Sequence, residues 1–175
     1  MTLSDDDQQI IEPFLVYIEE FEESDERYGP AGRHAYAKNG CPALRFMAGA
    51  DWSFEVHVEA DAPRVRIAFV SEQSGVIDEV LQAMEESGTT PAALVESGFR
   101  ETGLDWPEPP VERIDASCGT EGFATFLPLE HIVDLADARI RTKIIKMLEG
   151  FLIAFGPEVE LEFFDDDEEN EDEED

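Results

Sequence analysis

The sequence predicts an α+β fold, an antiparallel sheet with flanking helices in the order helix, three strands, helix, two strands, long helix. Three observations carry this expectation. Residues 51–70, DWSFEVHVEADAPRVRIAFV, contain two runs of polar–apolar alternation separated by ADAP, the pattern of two half-buried antiparallel strands. Residues 138–155, ARIRTKIIKMLEGFLIAF, repeat apolar side chains at helical spacing. The strand-like runs are neighbours in sequence and do not alternate with helices, as a parallel sheet would require.

The first helix is read from residues 10–22, where Ile10, Ile11, Phe14, Leu15, Ile18 and Phe21 recur at helical spacing. Ser4 and Asp5–Asp7 suit a helix start, because a hydroxyl caps free N–H groups and the dipole favours anions there. Proline lacks an N–H and belongs in a first turn, so the firm part of the helix is expected from Pro13. Residues 23–42 read mostly as loop, with room for a short strand at 33–38 before the Asn39–Gly40 turn.

ALRFMA at 43–48 is the first strand of the main set, turning at GAD. In the next two, Trp52, Phe54, Val56 and Val58 face one way, as do Val65, Ile67 and Phe69. Closing their loop at 60–63 sets Glu59 opposite Arg64 and His57 opposite Arg66, the first pair being worth a few tenths to about 1 kcal/mol. A helix at about 75–87 carries Ile77, Val80, Leu81 and Met84 on one stripe and ends at Gly88. Thr90 caps a second short helix, with Pro91 at its first position and Gly98 past its end. Residues 99–110 read as an ordered, proline-rich loop. VERIDA at 111–116 and GFATFLPL at 122–129 form a second strand pair joined by SCGTE. The last helix is capped by Asp137, stopped by Gly156–Pro157, and striped with Ile140, Ile144, Leu148, Phe151 and Phe155.

A length of 175 residues suits one domain, read as 1–164, followed by a disordered acidic tail at 165–175, with VELEFF at 159–164 packing before it. The formal charge is −31, from 43 acids and 12 bases. The tail holds ten of those acids, so the remainder still sets 33 acids against 12 bases. Nucleic acid and anionic membrane surfaces are therefore excluded as partners, since both need Lys and Arg in excess. Nine of the bases are Arg and three are Lys; few lysines among many carboxylates is also the habit of proteins adapted to high salt. There is no positive segment leading into an apolar core at the start, and FLIAF at 151–155 is too short to span a bilayer. Cys41 and Cys118 lie far apart and read as free thiols, so a cytoplasmic setting is expected.

The segment WSFEVHVEADAPRVRIAFV with the helix after it, and ATFLPLE at 124–130 with the long helix after it, resemble the type III secretion chaperone-like fold. Within it they are most similar to the YbjN-type family of small acidic bacterial proteins. The resemblance spans about residues 10–156 and rests on element order and apolar pattern. It implies a non-enzymatic, protein-binding or chaperone-like role, often as a homodimer, and supplies no catalytic residues.

Few residues suggest chemistry. His57, Glu59 and Asp61 would share a strand face, a set fit for a divalent metal, but alternation alone makes this a water-facing strand surface. Cys118 has acids and no cation beside it, which opposes a reactive thiolate. His34 and His131 have no companions at catalytic spacing and read as surface or capping groups. The tail either binds cations weakly, lures a basic partner or only solubilises. No enzyme activity and no cofactor are expected.

The strongest interaction candidate is the last helix. Arg139, Arg141, Lys143 and Lys146 gather a third of the bases there. Arg139, Lys143 and Lys146 flank the stripe of Ile140, Ile144, Leu148 and Phe151, and this set is the expected partner-binding surface. Pairing with Glu19, Glu20, Glu22 or Glu23 of the same chain is the alternative. The expected partner is a protein, a basic one among the candidates, or a second copy in a homodimer. A second functional expectation is an acidic inhibitor or immunity-type protein that masks a cationic site. A third is a protein adapted to high salt, with its role undefined.

Overall fold

The computed structural model describes residues 3–35, 42–49, 51–114 and 120–156. Four helices and six strands follow one another as α1 (Asp5–Glu23), β1 (Ala31–Ala35), β2 (Pro42–Met47), β3 (Trp52–Glu59), β4 (Arg64–Ser71), α2 (Val76–Ser87), α3 (Pro91–Glu101), β5 (Glu112–Ile114), β6 (Glu121–Pro128) and α4 (Ala138–Phe155). A short 3-10 turn at Ile132–Ala136 leads into α4. The strands form one antiparallel sheet in the order β1-β2-β3-β4-β6-β5. The α+β reading stands; of the strand expected at 33–38, residues 33–35 belong to β1, which begins at Ala31, while 36–38 and the Asn39–Gly40 turn lie outside the described residues.

The β3–β4 hairpin closes as its loop length demands. Glu59 is opposite Arg64 and His57 is opposite Arg66. One face of the sheet carries Leu44, Phe46, Phe54, Val56, Ile67 and Phe69 into a single apolar cluster shared with all four helices. At the end of α4, Phe155 stacks on Phe69 and Phe123 with ring centroids 4.9 and 5.7 Å apart. The same register turns Arg45, Glu55, His57, Arg66, Ala68 and Ala124 to the other face, termed the second face below. Among the described residues, the cluster on that side, Ala68, Val70 and Ala124 with Ile114 and Phe126, contains strand residues only.

Two helix boundaries differ from expectation. Helix α1 begins at Asp5, where the Ser4 hydroxyl accepts a hydrogen bond from the Asp7 amide at 3.1 Å, and Pro13 lies inside it. Pro13 sits on the exposed side, while Ile11, Phe14, Leu15 and Ile18 are buried on both sides of it, so packing outweighs the missing N–H. Helix α3 continues through Gly98 to Glu101. Gly98 is a contact point: a methyl group there would overlap the carbonyl of Gly150, so α3 and α4 cross at two glycines. The other signals act as read. Thr90 Oγ1 accepts from the Ala93 amide at 3.1 Å, Gly88 ends α2 at φ 75°, and Asp137 caps α4 through the Arg139 amide at 2.7 Å.

Candidate functional site

The last helix does not present the predicted surface. Ile144, Leu148 and Phe151 are fully buried in the chain's own core, and Ile140 is half-buried against it. The stripe was read with the right period, but its partner is the sheet of the same chain. The basic flank is also engaged internally, by groups other than the acids of α1. Lys143 Nζ lies 4.8 Å from the ring centre of Trp106, and the Arg141 guanidinium lies 5.1 Å from that of Tyr17 while donating to the Leu135 carbonyl at 2.7 Å. Lys146 is half-buried, its carbonyl accepting from Thr102 Oγ1 at 3.2 Å, and Arg139 is exposed. Only Arg139 of the expected set therefore faces solvent openly.

The second face of the sheet gathers the unusual groups instead. Glu55, in the centre of β3, is fully buried. Its Oε1 accepts from Arg66 Nη2 at 2.6 Å, and its Oε2 accepts from Arg45 Nη2 at 3.1 Å. Arg45 also donates to Glu72 at 2.8 Å. A buried carboxylate is tolerable only when paired and hydrogen-bonded, and here two guanidiniums from the flanking strands close over it. This overturns the expectation of a water-facing strand surface. Alternation reports that two faces differ, and it cannot distinguish water from a paired charge.

His57 is 2 % exposed beside the same group. Burial, and then the charge of Arg66, hold its pKa down to about 4, so the imidazole is neutral. Its Nδ1 is 3.7 Å from Glu59 Oε1. Glu59 pairs with Arg64, whose guanidinium lies 4.0 Å from the ring centre of Phe126. Asp61 lies in the turn after β3, away from the strand register. Two arginines next to His57 and Glu59 make a poor surrounding for a cation, and among the described residues no cluster of potential ligands has metal-binding geometry.

Beside the ion cluster Ala68, Val70 and Ala124 are buried, with Ile114 and Phe126 half-buried around them. At the β1–β4 end a cleft of about 440 Å³ opens, lined by His34, Arg45, Met47, Trp52, Val70 and Glu72. Met47 is half exposed within it, which is unusual for a large apolar side chain. His34 therefore lines a cleft, and His131 is exposed with its amide donating to Asp134. Sequence reading missed the Arg45–Glu55 pair. The signal existed, because closing the two strands over GAD, residues 49–51, puts residue 45 opposite residue 55.

Cys41, Cys118 and residues 157–175, including VELEFF and the acidic stretch, lie outside the described residues. Among the described residues no helix is long and apolar enough to cross a membrane. No family model, no curated protein and no solved structure matches the chain.

Proposed function

We propose that the chain is a non-enzymatic, chaperone-like protein-interaction module that takes its partner on the second face of the sheet. The observation that supports this most is the cleft on that face, with a half-exposed methionine set beside two arginines that share one buried glutamate. Polar groups there are engaged in charge pairing and no nucleophile–base pair is present among the described residues, so recognition is the chemistry on offer. A protein segment with apolar side chains along one edge and carboxylates along the other fits it. The apolar part would enter the cleft beside the half-exposed Met47, and carboxylates would meet the partly exposed Arg64 guanidinium. The similarity to YbjN-type proteins in element order agrees with such a role. The strongly acidic remainder of the surface discourages nucleic acid and favours selectivity by repulsion.

The test is capture of partners from the native extract at about 0.1 and 1 M salt, with wild type, Met47→Asp and Phe126→Ser. The expected result is one specific protein held at both salt concentrations by wild type and lost by both variants, whose thermal unfolding stays cooperative. Capture that disappears at high salt and is indifferent to both substitutions would favour an acidic decoy for a basic partner. Retention of the chain's own copies alone would make the face a dimer interface.

A further inference from the structure

The bases of this chain fall into two populations. Each described arginine outside α4 is ion-paired with a carboxylate. Among the described residues, none of the four bases of α4, Arg139, Arg141, Lys143 and Lys146, is ion-paired. The chain has 43 acids for 12 bases, so a shortage of carboxylates is not the cause. The nearby acids are turned to other groups. Asp137 accepts from the Arg139 amide at 2.7 Å, Asp134 accepts from the His131 amide at 2.9 Å, and Glu149 lies 3.8 Å from Arg27. On α3, Glu96 holds Arg100 at 2.8 Å and accepts from the Glu108 amide at 3.1 Å. Asp105, beside α4 on the loop after α3, is exposed and pairs with neither lysine. Arg141 is engaged by the Leu135 carbonyl and the Tyr17 ring. Three bases remain, at i, i+4 and i+7 of one helix, within about 60° of each other around its axis and about 10 Å apart along it.

We propose that Arg139, Lys143 and Lys146, with the Trp106 ring beside them, form a docking stripe for an acidic helical segment of a partner protein. The loop after α3 holds the stripe in place. Thr102 Oγ1 donates to the Lys146 carbonyl at 3.2 Å, a methyl group at Gly103 would come within 3.9 Å of Lys146 Nζ, and Lys143 Nζ lies 4.8 Å from the ring centre of Trp106. Trp106 stacks in turn on the buried Phe99 with ring centroids 5.9 Å apart, so the indole is a fixed wall. Both lysines are half-buried, as side chains are that lay an apolar stem along the surface and keep an ammonium with three N–H donors at its end. Carboxylates at i, i+4 and i+7 of a second helix repeat the spacing of the three bases, and an apolar residue among them meets the indole. A nucleic-acid backbone does not suit the stripe, because it would run on from about 10 Å of positive surface over the rest of a chain with charge −31. A short acidic segment ends before it does so. At physiological ionic strength the screening length is about 8 Å, so distant acids repel it little while the contact pairs persist.

Helix α4 packs on the helix side of the sheet, whereas the cleft beside Met47 opens on the second face. The stripe is therefore a separate surface and does not depend on the reading of that cleft. The probe is a synthetic helical peptide of alanine and glutamine with glutamates at i, i+4 and i+7 and a leucine at i+3; its counterpart has glutamine in place of the glutamates. Each is titrated into the full-length, nitrogen-labelled chain at about 0.15 M salt. The indole N–H of Trp106 is followed, with that of Trp52 as the internal reference. A saturable shift of Trp106 in the millimolar range or below is expected with the glutamate peptide, with Trp52 unmoved and no response to the glutamine peptide. Lys143→Gln and Lys146→Gln together keep most of each apolar stem and should weaken binding about tenfold or more, with thermal unfolding still cooperative. Arg113→Gln, which removes a base far from α4 in sequence, should change binding less than about twofold. No saturable Trp106 shift up to about 10 mM peptide would overturn the proposal, as would equal binding by the double variant or by the glutamine peptide. Inorganic phosphate that reproduces the Trp106 shift and displaces the peptide would overturn it too, making the stripe a small-anion site.

Discussion

Glu22 is 4 % exposed in the last turn of α1, and neither carboxylate oxygen has a hydrogen-bond partner among the described residues. Burial, reinforced by the charges of Asp25 and Glu19, raises its pKa to about 10. The native chain therefore holds this proton at neutral pH, whereas the unfolded chain releases it above about 4.5. Because the native state binds more protons in that interval, stability from this group is complete below about pH 4.5 and is lost as pH rises toward 10. Glu22→Gln, which keeps the shape and cannot ionise, should raise Tm at pH 8 by about 3–8 °C and change little at pH 4, read by calorimetry across pH. An equal gain at both pH values would sink the assignment. His57 works in the opposite direction: its pKa falls to about 4, so its contribution is complete above about 6.5 and is lost on acidification. Glu55 is the most exposed to insult, since Glu55→Gln removes the charge that two buried guanidiniums share. A loss of about 3–5 kcal/mol in urea unfolding is expected, and a loss under about 1 kcal/mol would mean that other groups neutralise them. Glu22 was legible in principle, because Ile11, Leu15, Ile18 and Glu22 continue one helical phase. Among neighbouring Glu19, Glu20 and Glu23, however, composition alone gave it no distinction.

Helix α1 tests how far tertiary packing overrides local chemistry at the scale of an element. Pro13 costs an interior hydrogen bond, yet Phe14 and Ile18 beyond it and Ile11 before it are buried. Pro13→Ala restores the donor and loses the restraint that proline places on the unfolded chain, two effects of opposite sign. The first is larger, so the substitution should stabilise by about 1–2 kcal/mol, measured as a higher urea midpoint with unchanged slope. A destabilised variant would show that the helix is bent around the proline for a packing reason. The α3–α4 crossing behaves otherwise. Gly98→Ala brings a methyl into the Gly150 carbonyl and should cost about 1–3 kcal/mol despite the better helix propensity of alanine. The caps of α2, α3 and α4 were readable because Thr90, Gly88 and Asp137 act on amides and carbonyls within three residues of themselves. Gly98 was misread as a stop because its role is set by Gly150, 52 residues away in sequence. The partner of the α4 stripe was misassigned for the same reason: periodicity identifies a buried face and does not name what buries it.

For the whole molecule the unanswered load is charge. Even without residues 165–175, 33 acids stand against 12 bases, and several of those bases are already committed to pairs inside the fold. Added salt acts on two populations in opposite senses. It screens the repulsion among unpaired carboxylates, which favours the folded state. It also weakens exposed pairs such as Arg100–Glu96 and Arg113–Asp78, which contribute at most about 1 kcal/mol each. The buried Arg45–Glu55–Arg66 group is shielded from ions and should change little. Each exposed pair among the described residues is worth little and the surplus of like charge to be screened is large, so the first effect wins. Tm should climb as sodium chloride rises from about 0.05 to 1 M, most steeply below about 0.2 M, where the screening length shrinks fastest. A parallel series in sodium sulfate separates screening from the exclusion of sulfate from apolar surface, which would continue to raise Tm at high concentration. A Tm that falls over the low-salt range would mean that the surface pairs outweigh the repulsion. The acidic composition would then be a feature of binding, with no adaptation to salt behind it.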